Sequence, residues 1–248
     1  MRKAALAAFA SLVTGLVTTG AVQAADLPRA KPVYAPVSTA FTHWTGFYIG
    51  GNLGYGWASA TTDFSVGGAS FASATNNLNG VLGGAQLGYN WQIGPAVLGV
   101  EADFQATDMR GTLTAPSCSA AVCGVATSAS YTQKLPWFGT VRGRLGYAQD
   151  SWLIYGTGGY AYARLETDAT ASAGAASVSV TREETRSGWT VGGGVELAVT
   201  RNWSARMEYL YVDLGRKDAT LTVPGLPAIG EDSRVTQNVV RLGANYRF

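Results

Sequence analysis

The chain has 248 residues, of which only 14 % are charged, 11 % are aromatic and 32 are glycine, with a net charge of +2. Soluble domains carry about 25 % charged residues, so part of this surface is expected to face something other than water. A near-neutral balance without clustered basic residues excludes a nucleic-acid partner.

The first residues read as an export signal. Arg2 and Lys3 precede a charge-free apolar stretch over residues 4–21, and Val22-Gln23-Ala24 supplies small residues at the −3 and −1 positions of a cleavage site. Residues 1–24 are therefore expected to be removed. No Cys lies near the site, which argues against a lipoprotein anchor. Residues 25–43, with Pro28, Pro32 and Pro36, read as an extended periplasmic arm. No long membrane helix follows. The uncharged stretch between Asp63 and Glu101 holds Asn76, Asn77, Asn79, Gln86, Asn90, Pro95 and many glycines. A chain like this can cross a membrane only as a closed barrel, which satisfies every backbone polar group internally.

From Trp44 the pattern alternates with period two, the signature of strands. Residues 46–57 set Phe47, Ile49, Leu53, Tyr55 and Trp57 against Tyr48, Gly50, Asn52, Gly54 and Gly56. Residues 80–91 set Val81, Ala85, Leu87, Tyr89 and Trp91 against Gly84, Gln86, Gly88 and Asn90. The third strand, near 98–104, alternates Leu98, Val100, Ala102 and Phe104 with Gly99, Glu101 and Asp103. The fourth, 135–147, alternates Trp137, Val141, Leu145 and Tyr147 with Thr140, Arg142 and Arg144. Residues 152–165 form a fifth strand whose faces are less distinct, because aromatic and small residues occupy both. The sixth, 188–199, sets Trp189, Val191, Val195 and Leu197 against Thr190, Gly192, Gly194 and Glu196. The seventh, 203–212, sets Ala205, Met207, Tyr209 and Tyr211 against Ser204, Arg206 and Glu208. The eighth, 235–248, sets Val240, Leu242, Ala244, Tyr246 and Phe248 against Arg241, Asn245 and Arg247.

The connections alternate as well. Those at 92–95, 148–151 and 200–202 are short, whereas 58–78, 106–130, 166–187 and 214–234 read as long loops. Short periplasmic turns alternating with long extracellular loops describe an eight-stranded antiparallel transmembrane β-barrel, residues 44–248, with both termini in the periplasm.

Charge assigns the faces. The apolar faces of strands three, four, six, seven and eight carry no ionised residue. The opposite faces carry Glu101, Asp103, Glu196 and Glu208 against Arg142, Arg144, Arg206 and Arg241. Four acids balancing four bases suit a narrow lumen, where an unpaired ion costs several kcal/mol. On this reading Glu101 and Asp103 face Arg142 and Arg144, Glu196 meets Arg206, and Glu208 meets Arg241. The seven tryptophans, at 44, 57, 91, 137, 152, 189 and 203, fall at strand ends, as two interfacial girdles require. Cys118 and Cys123 lie in the second long loop, and an exported pair is expected to form a disulfide.

The chain resembles the small OmpA-like outer-membrane β-barrels of alphaproteobacteria, described as porin-family, immunogenic or haemin-binding proteins. The resemblance rests on Ala25-Asp26-Leu27-Pro28, on Trp44-Thr45-Gly46-Phe47-Tyr48-Ile49-Gly50-Gly51, on Arg206-Met207-Glu208-Tyr209 and on residues 240–248, which end in Tyr246-Arg247-Phe248. It implies outer-membrane lipid and lipopolysaccharide as surroundings, and the barrel-assembly machinery as a partner that reads the C-terminal aromatic end. It also implies haemin as a conceivable ligand, with His43 or a loop tyrosine as the axial group; otherwise no cofactor or metal is expected. With His43 the only histidine, and at the periplasmic end, catalysis is not expected. The functional expectation is a non-enzymatic barrel that serves envelope integrity and surface interaction through its loops. The alternative is a small porin conducting ions or small solutes, in which the eight charges would line the path instead of plugging it.

Overall fold

A computed structural model of the chain describes residues 43–66, 69–114, 127–221 and 229–248. The expected signal segment and nearly all of the expected arm, together with the expected Cys118–Cys123 disulfide, lie outside the described residues.

Eight antiparallel strands close in sequence order: β1 Gly46–Val66, β2 Ala69–Ile93, β3 Ala96–Thr114, β4 Thr127–Gln149, β5 Trp152–Ala173, β6 Ala176–Ala198, β7 Trp203–Leu221 and β8 Ile229–Arg247. β1 pairs with β8 from Tyr48↔Arg247 to Val66↔Ile229, so the sheet has no edge within the membrane. The expected phase is present. Phe47, Leu53, Val81, Leu87, Val141, Leu145 and Leu242 are exposed on the outer face, while Gln86, Asn90, Thr140 and Asn245 are buried inside. This inverts a soluble protein, because the outer solvent is hydrocarbon. On β5, where both faces are mixed, closure decides: Leu153, Tyr155 and Ala161 turn inward and Trp152, Ile154 and Tyr160 outward.

Two expectations need correction. The strands are 19 to 25 residues long, well past the 11 or so that a tilted strand needs to cross. Much of the expected loops is therefore strand. The β5–β6 ladder runs from Trp152↔Leu197 out to Ala173↔Ala176 and closes on Gly174 and Ala175, Gly174 taking the left-handed φ of 59° that a two-residue turn requires. Residues 166–187 are mostly Ser, Thr, Ala and charged types, without Pro. Their alternation, Ala169, Ala171 and Ala173 and then Val178 and Val180, is carried by small side chains, and nothing in them stops a ladder already in register.

The second correction concerns Trp44, which is not part of a girdle. It is 0 % exposed and packs against Val97, Leu153 and Tyr155 at the periplasmic end of the lumen. The Arg247 guanidinium lies 4.5 Å over its ring, and its backbone N donates to Gln92 Oε1 at 2.8 Å. Trp57, Trp91, Trp152, Trp189 and Trp203 do face outward, and Trp137 is half-buried there.

Candidate functional site

The barrel interior is layered. Above the Trp44 cap lies the ionic layer, positioned by alternation on β3, β4, β6, β7 and β8. All eight of its expected members are buried: Glu101, Asp103, Arg142, Arg144, Glu196, Arg206, Glu208 and Arg241. An eight-stranded barrel is just wide enough for its side chains to fill, so an arginine on one wall reaches carboxylates on another.

Glu101 is the hub. It accepts from Arg142 Nη2 at 2.5 Å, from Arg206 Nη1 at 2.5 Å and from the Tyr48 hydroxyl at 2.6 Å. Asp103 accepts from Arg142 at 2.8 Å, Arg241 at 3.1 Å and the Thr140 hydroxyl at 2.7 Å. Glu208 takes Arg142 at 3.1 Å, Arg206 at 3.2 Å and Arg241 at 2.5 Å, with the Tyr155 hydroxyl at 3.1 Å. Glu196 accepts from Arg144 at 2.8 Å, Ser204 at 2.5 Å and Asn245 at 2.9 Å.

Some pairings differ from the sequence expectation. Glu208 does meet Arg241, and Glu101 and Asp103 do meet Arg142. Arg144, however, lies opposite Gly99 in register; it comes no nearer to Glu101 than 4.0 Å and crosses to Glu196 on β6. Glu196 and Arg206 are register neighbours, yet their charged ends part: Arg206 reaches Glu101 and Glu208. Neighbouring strands bring backbones together, but both side chains point at the axis, where a long guanidinium finds acceptors from several walls.

Tyr48 and Tyr155 join the ionic layer without having been singled out from the sequence. The signal for Tyr48 was that it shares the face of Asn52 and the glycines of β1, whereas on β5, with both faces mixed, the sequence offered none for Tyr155. Arg144 stacks 3.8 Å from the Tyr155 ring centroid. Glycine makes room for both phenols: a Cβ on Gly88 would fall 2.4 Å from the Tyr48 hydroxyl oxygen, and one on Gly194 2.7 Å from that of Tyr155.

Toward the extracellular side the interior turns apolar, which the polar-lumen reading had not anticipated. Leu78, Leu82, Met109, Leu135, Phe138 and Leu210, with Leu165, Leu214, Val212, Val235 and Val239, form a buried cluster. The register shift on β4 between Lys134 and Trp137 turns Leu135 inward, while Met109 keeps the inward parity of Glu101, Asp103 and Gln105 on β3. The available signal was loss of alternation, as in Tyr209-Leu210-Tyr211-Val212 and Val239-Val240, where apolar residues occupy both faces.

His43 is exposed at the periplasmic rim, beside a cavity of about 480 Å³ lined by Gln92, Pro95 and Gln149. Among the described residues no group of three His, Cys, Asp or Glu is placed to hold a metal ion.

A family model for the outer membrane protein β-barrel domain matches residues 13–248. The 31 kDa outer-membrane immunogenic protein of Brucella melitensis biotype 1 is 38 % identical over 228 residues, covering 88 % of this chain and 88 % of the relative. A 22 kDa outer membrane protein of Rhizobium leguminosarum bv. viciae is 32 % identical over 219 residues, covering 86 % of this chain and 82 % of the relative. Among solved structures, the outer membrane protein OprG from Pseudomonas aeruginosa is similar with a TM-score of 0.45 and 16 % identity, over 83 % of this chain and 97 % of that one.

Proposed function

The chain belongs to the outer membrane protein β-barrel family and sits in the outer membrane, and from that premise we propose that it is a sealed, non-enzymatic barrel. Its work is to hold a rigid span in the membrane and to present extracellular hairpins for surface contact.

The filled interior carries this reading. Three barriers lie in series: Trp44 under Arg247 at the periplasmic end, the paired ionic layer, and the apolar cluster beyond it. An ion would have to break into a neutral, mutually hydrogen-bonded web and then cross a predominantly apolar layer, where buried Gln237 is held against Met109. Porin-class channels use roughly twice as many strands. Catalysis is disfavoured for a related reason. The buried carboxylates are engaged by guanidinium groups, which leaves none poised as a proton acceptor, and His43 lies at the rim, away from them.

Purified protein in a planar bilayer tests the proposal. It should show at most small, rare conductance steps; large, stable steps would mean that the lumen is a path and not a plug.

A further inference from the structure

The β6–β7 ladder stops at Trp189↔Asp213, while its neighbours continue outward, β5–β6 to Ala173↔Ala176 and β7–β8 to Leu221↔Ile229. Among the described residues, residues 176–188 of β6 therefore have a hydrogen-bonded strand neighbour on the β5 side only. The cause is local. β7 carries a register shift between Asp213 and Arg216, where Gly215 has a φ of 73°. Asp213 pins that bulge by accepting from the Gly215 backbone N at 2.9 Å and from Arg234 at 2.5 Å. A bulge bends its strand, and beyond it β7 keeps β8 and parts from β6. Long side chains bridge the lower part of the gap, Lys217 to Glu184 at 2.5 Å and Arg186 to the Ser233 carbonyl at 3.0 Å.

Above these bridges the edge is unguarded. Proteins protect exposed edges with charge, proline or brevity, yet residues 176–181, Ala-Ser-Val-Ser-Val-Thr, have neither charge nor proline. Val178 and Val180 are 66 % and 60 % exposed. They lie opposite Ala171 and Ala169, and with Leu113 they wall a cavity of about 490 Å³. Arg182 follows on the same face. It is exposed and its cross-strand neighbour is Thr167; its charge acts on Glu184, two residues along the same face, but among the described residues no carboxylate comes within ion-pair distance of it.

We propose that the outer edge of β6, residues 176–182, captures an extended segment of a partner polypeptide by strand addition. Two independent features specify that segment. The open row of backbone N–H and C=O groups takes another strand. The side chains ask for alternate apolar residues against Val178 and Val180, with an acidic residue against Arg182. The occupant is a foreign chain and not a second copy. Two copies in one membrane carry β6 in the same direction, so their edges would meet parallel, with spacing set by the barrel walls. The inference rests on the surface-contact part of the proposed function and is independent of the sealed lumen.

The test uses full-length protein folded in detergent micelles and a fluorescent peptide alternating Thr and Val with one Glu. The expected result is saturable binding with slowed amide exchange on β6 over residues 176–182. Val178→Lys and Val180→Lys should each weaken it about tenfold or more, and both sites are exposed, so folding can be checked by unchanged strand content. Arg182→Glu should weaken the Glu peptide and favour a Lys counterpart. No binding, protection elsewhere, indifference to the charge swap, or self-association through β6 would each overturn the proposal. Large conductance would instead sink the sealed-barrel reading and leave these outcomes untouched.

Discussion

Arg142 on β4 and Glu208 on β7 are not strand neighbours, yet their charged ends meet at 3.1 Å across the lumen. The same guanidinium also binds Glu101 and Asp103 on the adjacent β3. One side chain thus ties a local pair of strands to the far wall, and Arg206 does the same from β7 to Glu101 on β3. Such ties oppose any widening of the barrel, because opening the lumen would strand ions whose partners lie on the wall that moved.

That tie predicts a cost and a coupling. Glu208→Ala leaves Arg142, Arg206 and Arg241 short of a carboxylate, and removing one partner from a buried ionic group costs about 3–5 kcal/mol. Urea titration of the folded barrel in micelles should show that loss. In a double-mutant cycle, Arg142→Ala with Glu208→Ala should fall short of additive by roughly 0.5–3 kcal/mol. Strict additivity would mean that β4 and β7 are not linked through the lumen.

Trp44 should behave unlike the outward-facing tryptophans. Single-tryptophan variants in bilayers with brominated lipids should show strong quenching for Trp91, Trp152 and Trp203, which face outward, and almost none for Trp44, which is enclosed by Val97, Leu153 and Tyr155. Quenching of Trp44 comparable to that of Trp91 would return it to the girdle and leave the lumen uncapped.

The extracellular extension has its own acid-sensitive tie. Asp168 on β5 accepts from Lys134 on β4 at 2.9 Å and from the Thr181 hydroxyl at 2.8 Å, and these hydrogen bonds, that from Lys134 foremost, hold its carboxyl below the usual aspartate range. A lowered folded-state value means that the contribution is complete above the unfolded value of about 3.9 and is lost as pH falls through the folded one. An NMR titration should place the Asp168 midpoint below an ordinary aspartate, and Lys134→Met should raise it. An unchanged midpoint in that variant would show that the pair is not held in solution.

Local pattern settled a good part of this molecule. Strand number, the inward phase of Glu101, Arg142 and Arg241, and the short turns after β2, β4 and β6 were all legible, because side-chain direction in a strand depends only on parity. Hydrocarbon outside a closed ladder leaves one consistent assignment of faces. Partner choice inside the lumen was not legible: Arg144 bypasses the neighbouring acid and reaches Glu196, since that choice depends on which walls closure and stagger bring across the axis. Nor was the length of the hairpins, because the period-two pattern in residues 166–187 is carried only by small side chains such as Ala169, Ala171 and Val178, which become strand only when a paired neighbour already stands in register. Trp44 looked like a girdle residue by position, but it sits at the lumen mouth, where Arg247 and the inward faces of β3 and β5 converge only after the ring has closed.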